Sequence, residues 1–345
     1  MPRPTTNRRT RAARRGLKFL YRFACDAENF AECGSDLLNW FYLVADRARD
    51  IELQRRARAL GRERAREWRR AHQSVPAEAD ADDVFHLVFG SDAADRLGVR
   101  DPNFKRQLRR AVRQFQARDY LWFDPAVEPP PEDVPDACAC GDWNERGLKN
   151  CPRCRRRLQW LTRYKVWYSA LIRTYVAACY GISLGASYRA ALKWLPHIRP
   201  YHASRKPDHP DFYDTGFTVT HVVYTLNDYG KYLLAPAWLP HEFAFLSENM
   251  ATVIEQDDPE MVGEFLDTLK AFGLTNRHAL VRAGTDYLLA RQNADGSWGP
   301  TETDNIYLNY HATLCAAGGL LDYAWPGTRL SFPRLQSLLE HWAQE

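Results

Sequence analysis

Residues 290–323 read ARQNADGSWGPTETDNIYLNYHATLCAAGGLLDY. Gln292, Asp295, Gly296, Ser297, Trp298 and Gly299 form a Q-x-x-D-G-S-W-G punctuation. Asp-Gly and Trp-Gly are turn dipeptides, and the flanking segments carry apolar residues at helical spacing. The stretch therefore reads as the end of one helix, a tight turn, and a second helix. Tyr310 and His311 open that second helix, which continues in small residues suited to close packing.

The turn resembles the Q-x-x-D-G-x-(W/F)-G repeat of the α/α toroids, the protein prenyltransferase β-subunits and squalene-type terpene cyclases. Tyr310-His311-Ala312-Thr313 with Cys315 is similar to the prenyltransferase helix that supplies a catalytic zinc histidine. The resemblance implies a mainly α, toroid-like C-terminal domain and a metal-ligand role for His311. It is clear over about a tenth of the chain. The chain departs from the prenyltransferase pattern, whose zinc also takes an Asp and a Cys from an earlier segment; D-G-S-W-G carries no such Cys. The D-x-D-D and D-D-x-x-D motifs of the terpene cyclases are also missing.

An internal echo extends the pattern. Asp211-Phe212-Tyr213 ahead of Thr220-His221 matches Asp304-Asn305-Ile306-Tyr307 ahead of Tyr310-His311. Each histidine falls on the first turns of a helix after a polar loop, and in a toroid such ends face one central cavity. His221 and His311 are thus the expected ligands of an active-site metal, with His241 the third candidate. Two or three imidazoles and a carboxylate suit Zn, Fe or Cu, so the second metal is of open identity. Cys315, one turn beyond His311, shares its face and reads equally as a small packed hydrophobe.

Tyr224 and Asp228 follow His221 at i+3 and i+7 on an otherwise apolar helix, a polar stripe that implies a cavity. Asp228 lies ~10 Å from His221 along the axis, which casts it as an orienting partner or general base. Tyr224 and Tyr310 are the expected substrate-positioning residues. His202 and His209, in a polar loop, read as a lid.

A second metal signal is Cys138-x-Cys140-x10-Cys151-x-x-Cys154, two close pairs on turns that provide the four soft ligands of a closed structural zinc site. Its first pair is C-x-C, and iron–sulfur ligation is the alternative. The remaining cysteines are scattered, which fits a reduced, cytoplasmic protein better than a disulfide framework.

Composition bounds the rest. Of 345 residues, 45% are hydrophobic and 13% aromatic, enough for a substantial core and an aromatic pocket. No run reaches the ~18 apolar residues of a membrane span. The net charge of +4 is small but unevenly spread. Residues 1–16 carry six arginines and no acid and are expected to be a disordered basic tail. The segment 17–127 reads as an N-terminal helical region. Within it, Arg55–Arg70 is either a solvated face with i,i+4 ion pairs or a phosphate-binding face for an anionic partner. Residues 128–158 hold a Pro-rich linker and the zinc knuckle, and 159–345 the toroid-like domain.

No Gly-rich nucleotide loop, G-x-S-x-G elbow or kinase set occurs. The expectation is a metal-dependent enzyme acting on a small apolar or aromatic molecule in a helical cavity, in specialised metabolism. The alternative is a nucleic-acid- or protein-binding module using the knuckle and the basic helices.

Overall fold

The computed structural model describes residues 4–132, 148, 150–156, 161–202, 205–209, 211–303 and 305–344. The chain is mainly α, 66% helical, with no strand among the described residues. Its helices alternate between two layers. In chain order, α1 (Pro4–Cys25) precedes α2 (Ala27–Arg47), and α3 (Ile51–Ala71) precedes α4 (Ala81–Arg96). Then α5 (Pro102–Ala111) and α6 (Ala117–Leu121) precede α7 (Arg163–Tyr180), and the short α8 (Tyr188–Leu192) and α9 (Leu195–Ile198) precede α10 (Phe212–Leu226). Finally α11 (Pro240–Glu255) precedes α12 (Pro259–Ala271), α13 (Ala279–Arg291) precedes α14 (Ile306–Leu320), and α15 (Gln336–Trp342) closes the chain.

The members α2, α4, α7, α10, α12 and α14 pack each on the next, and α14 returns to α2. The intervening helices lie against this ring: α1 on α14 and α2, α3 on α2 and α4, α11 on α10 and α12, α13 on α12 and α14. One continuous core joins Ala12 to Trp342 and runs across the boundary expected near residue 128. Two ring helices, α2 and α4, thus come from the segment 17–127.

Local chemistry sets the helix ends. Asp26 caps α2 by accepting from the Glu28 and Asn29 amides, Asp80 and Asp83 form a reciprocal capping box on α4, and Asn305 caps α14. The backbones of α12 and α14 approach closely. A Cβ on Gly263 would fall 2.5 Å from the Cys315 carbonyl carbon, so only a glycine lets these backbones touch.

The D-G-S-W-G turn acts as a staple. Trp298 is fully buried; its Nε1 donates to Leu288 O at 2.7 Å, and its amide donates to Thr313 Oγ1 at 2.9 Å. Gln292 Nε2 donates to Ala12 O at 2.9 Å, while Gly296, at φ 100°, presses against the Arg15 carbonyl. Asp295 accepts from the Ser297 amide and hydroxyl, which holds the turn itself. The turn joins α13, α14 and α1.

Residues 4–16, expected as a disordered tail, form the first turns of α1 and bury Ala12 and Ala13. Arg9 is buried with them, donating to Asp322 and to Leu320 O. The physical reason is the spacing of the small residues: Ala12, Ala13, Leu17 and Leu20 make an apolar stripe between the arginines. Several arginines of α3 are likewise spent internally. Arg58 donates to Ala45 O, Arg62 to Leu97 O, and Arg69 to Asp95 and Ser91.

Candidate functional site

The six ring helices enclose a cavity of about 310 Å³, to which each contributes at least one side chain. From α10 come Phe217, His221 and Tyr224, and from α14 Tyr307, His311 and Cys315. The structure thus brings His221, His311 and Tyr224 to one cavity. His221 sits in the middle of its helix, and His311 on the second turn of its own.

The two imidazoles differ in state. His221 Nδ1 lies 2.7 Å from Phe217 O, and its ring stacks on Tyr168 at 5.2 Å. An Nδ1–H donated to that carbonyl leaves Nε2 as the lone-pair nitrogen. Burial lowers the His221 pKa to about 4; the Phe217 carbonyl and the Glu260 carboxylate recover only part of the lost hydration, and His311 adds to the fall. His311 is pulled down by burial too, but Glu260 outweighs this and the net direction is upward. Its Nδ1 lies 2.9 Å from Glu260 Oε1 and 2.8 Å from the Tyr307 hydroxyl, with the Tyr307 ring stacked at 4.2 Å. Tyr307 is 45% exposed, which places it at the mouth.

A third helix supplies acids that sequence reasoning passed over. On α12, Glu260, Glu264 and Asp267 share one face at i, i+4 and i+7. Glu264 is 3% exposed; it accepts from Thr220 Oγ1 at 2.5 Å and from Cys315 Sγ at 3.6 Å. Burial raises its pKa to about 7, and the Thr220 bond recovers part of the loss. Asp267 is raised as well by burial, and it accepts from the Tyr323 hydroxyl at 2.9 Å. The signal in the sequence was E-x3-E-x2-D on a helix that is otherwise mostly apolar.

The other expected site residues lie elsewhere. Tyr310 is buried behind the cavity and donates to Asp36 Oδ2 at 2.6 Å; Asp36 itself faces the space. Asp228 follows α10 at φ 56° and accepts from the Tyr175 hydroxyl at 2.5 Å. It also pairs with Arg47 at 3.3 Å and Lys231 at 3.2 Å, a network outside the cavity. His241 begins α11 and does not line the cavity. Cys315 is buried 3.7 Å from His311 Nδ1. His209 accepts from the Asp211 amide in its loop.

Among the described residues, no three His, Cys, Asp or Glu side chains are arranged to hold a metal ion. His221 and His311 have no third such donor placed with them among the described residues. Cys138 and Cys140 lie outside the described residues. Cys151 is buried and opens a tight turn: the Arg155 amide donates to Cys151 O and the Cys151 amide to Arg156 O, with Arg155 at φ 65°.

No helix among the described residues is long and apolar enough to cross a membrane. No protein-family model, curated protein or solved structure matches the chain.

Proposed function

We propose that the chain is an α/α-toroid enzyme performing general acid–base catalysis on a small, largely apolar or aromatic molecule held in the central cavity. The observation that carries this reading is Glu264: a carboxyl sealed into the cavity wall and poised near neutrality. An acid or base works best when its pKa lies near the working pH, and environments that push neighbouring groups apart mark the acid and base roles. In this scheme Glu264 carries the proton. Neutral His221 offers a lone pair, and His311, whose protonated form Glu260 favours, donates to a polar group of the substrate. The ring of packed helices supports the toroid, and both layers, N-terminal helices included, belong to it.

The test is consumption of a small molecule by the parent protein and by Glu264→Gln. A cellular small-molecule extract incubated with each is compared by mass spectrometry. The expected result is a compound transformed by the parent and left intact by a folded E264Q protein. Transformation at equal rates by both overturns the role of Glu264, and no transformation by either overturns the enzyme reading.

A structural zinc at Cys138, Cys140, Cys151 and Cys154 is proposed separately, supported by the spacing of the two cysteine pairs and by the tight turn from Cys151 to Arg156 that holds Cys154. Cys151→Ser is expected to lose about one zinc per chain and destabilise the fold, since metal binding at such sites is folding energy. A stable variant with unchanged zinc content would refute it.

A further inference from the structure

The cavity has a chemical bias that acid–base catalysis alone does not require. Of its twenty lining residues, eight are Trp, Tyr or Phe, three are Asp or Glu, and none is Lys or Arg. Its volume falls near the lower end of the ~300–1,000 Å³ usual for ligand sites.

The charges around it do not cancel. Asp36 enters from α2, and Glu264 and Asp267 from α12. Against them stand His311, whose charge Glu260 already neutralises at 2.9 Å, and Lys270, which lies outside the lining and pairs with Asp267 at 3.5 Å. Lys270 Nζ also donates to Leu321 O at 2.7 Å. Asp267 is 8% exposed and lines the cavity; its Oδ1 has the Lys270 ammonium at 3.5 Å but no aligned hydrogen bond among the described residues. An oxygen with one long ion pair and no aligned hydrogen bond keeps room for a further positive or donor group from the cavity side.

Aromatic side chains line the cavity beside the acids. Tyr224 and Tyr229 stack at 5.3 Å with an interplanar angle of 11°, and Tyr224 meets His221 edge-on. Ring faces attract cations through their quadrupole, most strongly when water is excluded. Walls of this kind with carboxylates behind them suit a positively charged nitrogen on a compact organic body. They disfavour phosphates and carboxylates, which would meet the Asp36 and Asp267 carboxylates with no Lys or Arg in the lining.

We infer that the central cavity binds a small organic cation, an ammonium-bearing molecule whose nitrogen lies against the Tyr224 ring and the Asp267 carboxylate. This deepens the proposed function by naming the class of its substrate, and it rests on the cavity being the substrate site.

The experiment is isothermal titration of the full-length protein with choline, with its uncharged carbon counterpart 3,3-dimethylbutan-1-ol, and with the anion 3,3-dimethylbutanoate. These share shape and differ in charge. Choline is expected to bind at least tenfold more tightly than the alcohol, and the anion more weakly still. Tyr224→Leu keeps every charge and removes the ring; Asp267→Asn removes the charge. Each is expected to weaken choline at least tenfold and to leave the alcohol within about threefold.

Equal or tighter binding of the alcohol overturns the inference, as does full choline affinity in either folded variant. Should a variant fail to fold, the charge series on the parent decides alone. The outcomes separate from those of the catalytic reading. Cation binding without any Glu264-dependent turnover fails the enzyme and keeps the site, whereas turnover of an uncharged compound with no cation preference fails the inference and keeps the enzyme.

Discussion

Glu242 on α11 and Glu264 on α12 are almost equally hidden from solvent, at 0% and 3% exposure, yet they meet opposite surroundings. Glu242 accepts from Arg199 Nε at 2.9 Å, from a terminal guanidinium nitrogen of Arg199 at 2.5 Å, and from the Tyr201 hydroxyl at 2.6 Å. Glu264 has a hydroxyl and a thiol. Burial removes hydration from both, and only the first is repaired by a full opposite charge. A compensated buried carboxylate is part of the frame. An uncompensated one is held back from ionising, and that makes it available for proton transfer.

The largest way to break this contrast is to remove each carboxylate in turn. Glu242→Ala strands the Arg199 guanidinium in the interior and is expected to cost about 3–5 kcal/mol. Glu264→Gln keeps the shape and removes an acid that resists ionisation, so it should leave the fold at least as stable at pH 8. Chemical denaturation of both variants beside the parent measures the difference. Equal destabilisation would mean that Glu264 is also structural.

A second prediction concerns pH. Glu264 rises from 4.5 to about 7 on folding, so the native state holds more protons across that window. Its contribution is complete below pH 4.5 and is lost as pH climbs through 7, on the order of 3 kcal/mol at 1.36 kcal/mol per unit. His221 falls from 6.5 to about 4, so the native state holds fewer protons there, and its contribution is lost as pH drops through 4. Between about pH 4.5 and 6.5 the two slopes oppose. E264Q should therefore gain stability with rising pH relative to the parent in that range, and His221→Phe should lose it. Urea unfolding at half-unit pH steps provides the check, and a parallel profile for E264Q would contradict the assignment.

How much of this was legible in the sequence follows from the same physics. Periodicity and turn chemistry revealed the helices, and the echo between residues 211–221 and 304–311 placed His221 and His311 on elements that do share a cavity. The carboxylates of α12 stayed hidden because an acid on a helix ordinarily marks its solvated face. Their burial depends on Gly263, which draws α12 onto α14 by a contact across more than fifty positions. Asp228 misled because its i+7 spacing presumes that the helix continues. The helix stops at Leu226, and the left-handed backbone at Asp228 turns that carboxylate toward Arg47. The arginines of α1 disguised a core-facing stripe, since composition registers charge and ignores which face bears it.

The glycines along that seam sharpen the contrast at smaller magnitude. A methyl at Gly263 meets backbone at 2.5 Å, whereas one at Gly318 on α14 meets nothing within 4 Å. Gly263→Ala is expected to cost about 1–3 kcal/mol by forcing the helices apart. Gly318→Ala should stabilise by up to about 1 kcal/mol through helix propensity. Melting curves of the pair distinguish the two, and a neutral G263A would mean that the seam is looser than its geometry.

The smallest expected effect lies on α3, where the same residue type plays two parts. Arg58, Arg62 and Arg69 donate to carbonyls or acids of neighbouring segments, and each ties α3 into the fold. Arg55, Arg56 and Arg66 stand on the exposed face. Truncating an exposed arginine removes a solvated charge, so Arg55→Ala, Arg56→Ala and Arg66→Ala should each shift stability by no more than about 0.5 kcal/mol. Arg69→Ala instead leaves Asp95 and Ser91 without their donor and should cost more. The same exposed variants test the phosphate-binding alternative, because phosphate contacts are lost steeply with salt. Retention on immobilised heparin, followed across a salt gradient, should barely change in the triple variant R55A/R56A/R66A if this face is merely solvated. An early elution of that variant, with its melting temperature and choline affinity intact, would give the basic face a binding role independent of the cavity.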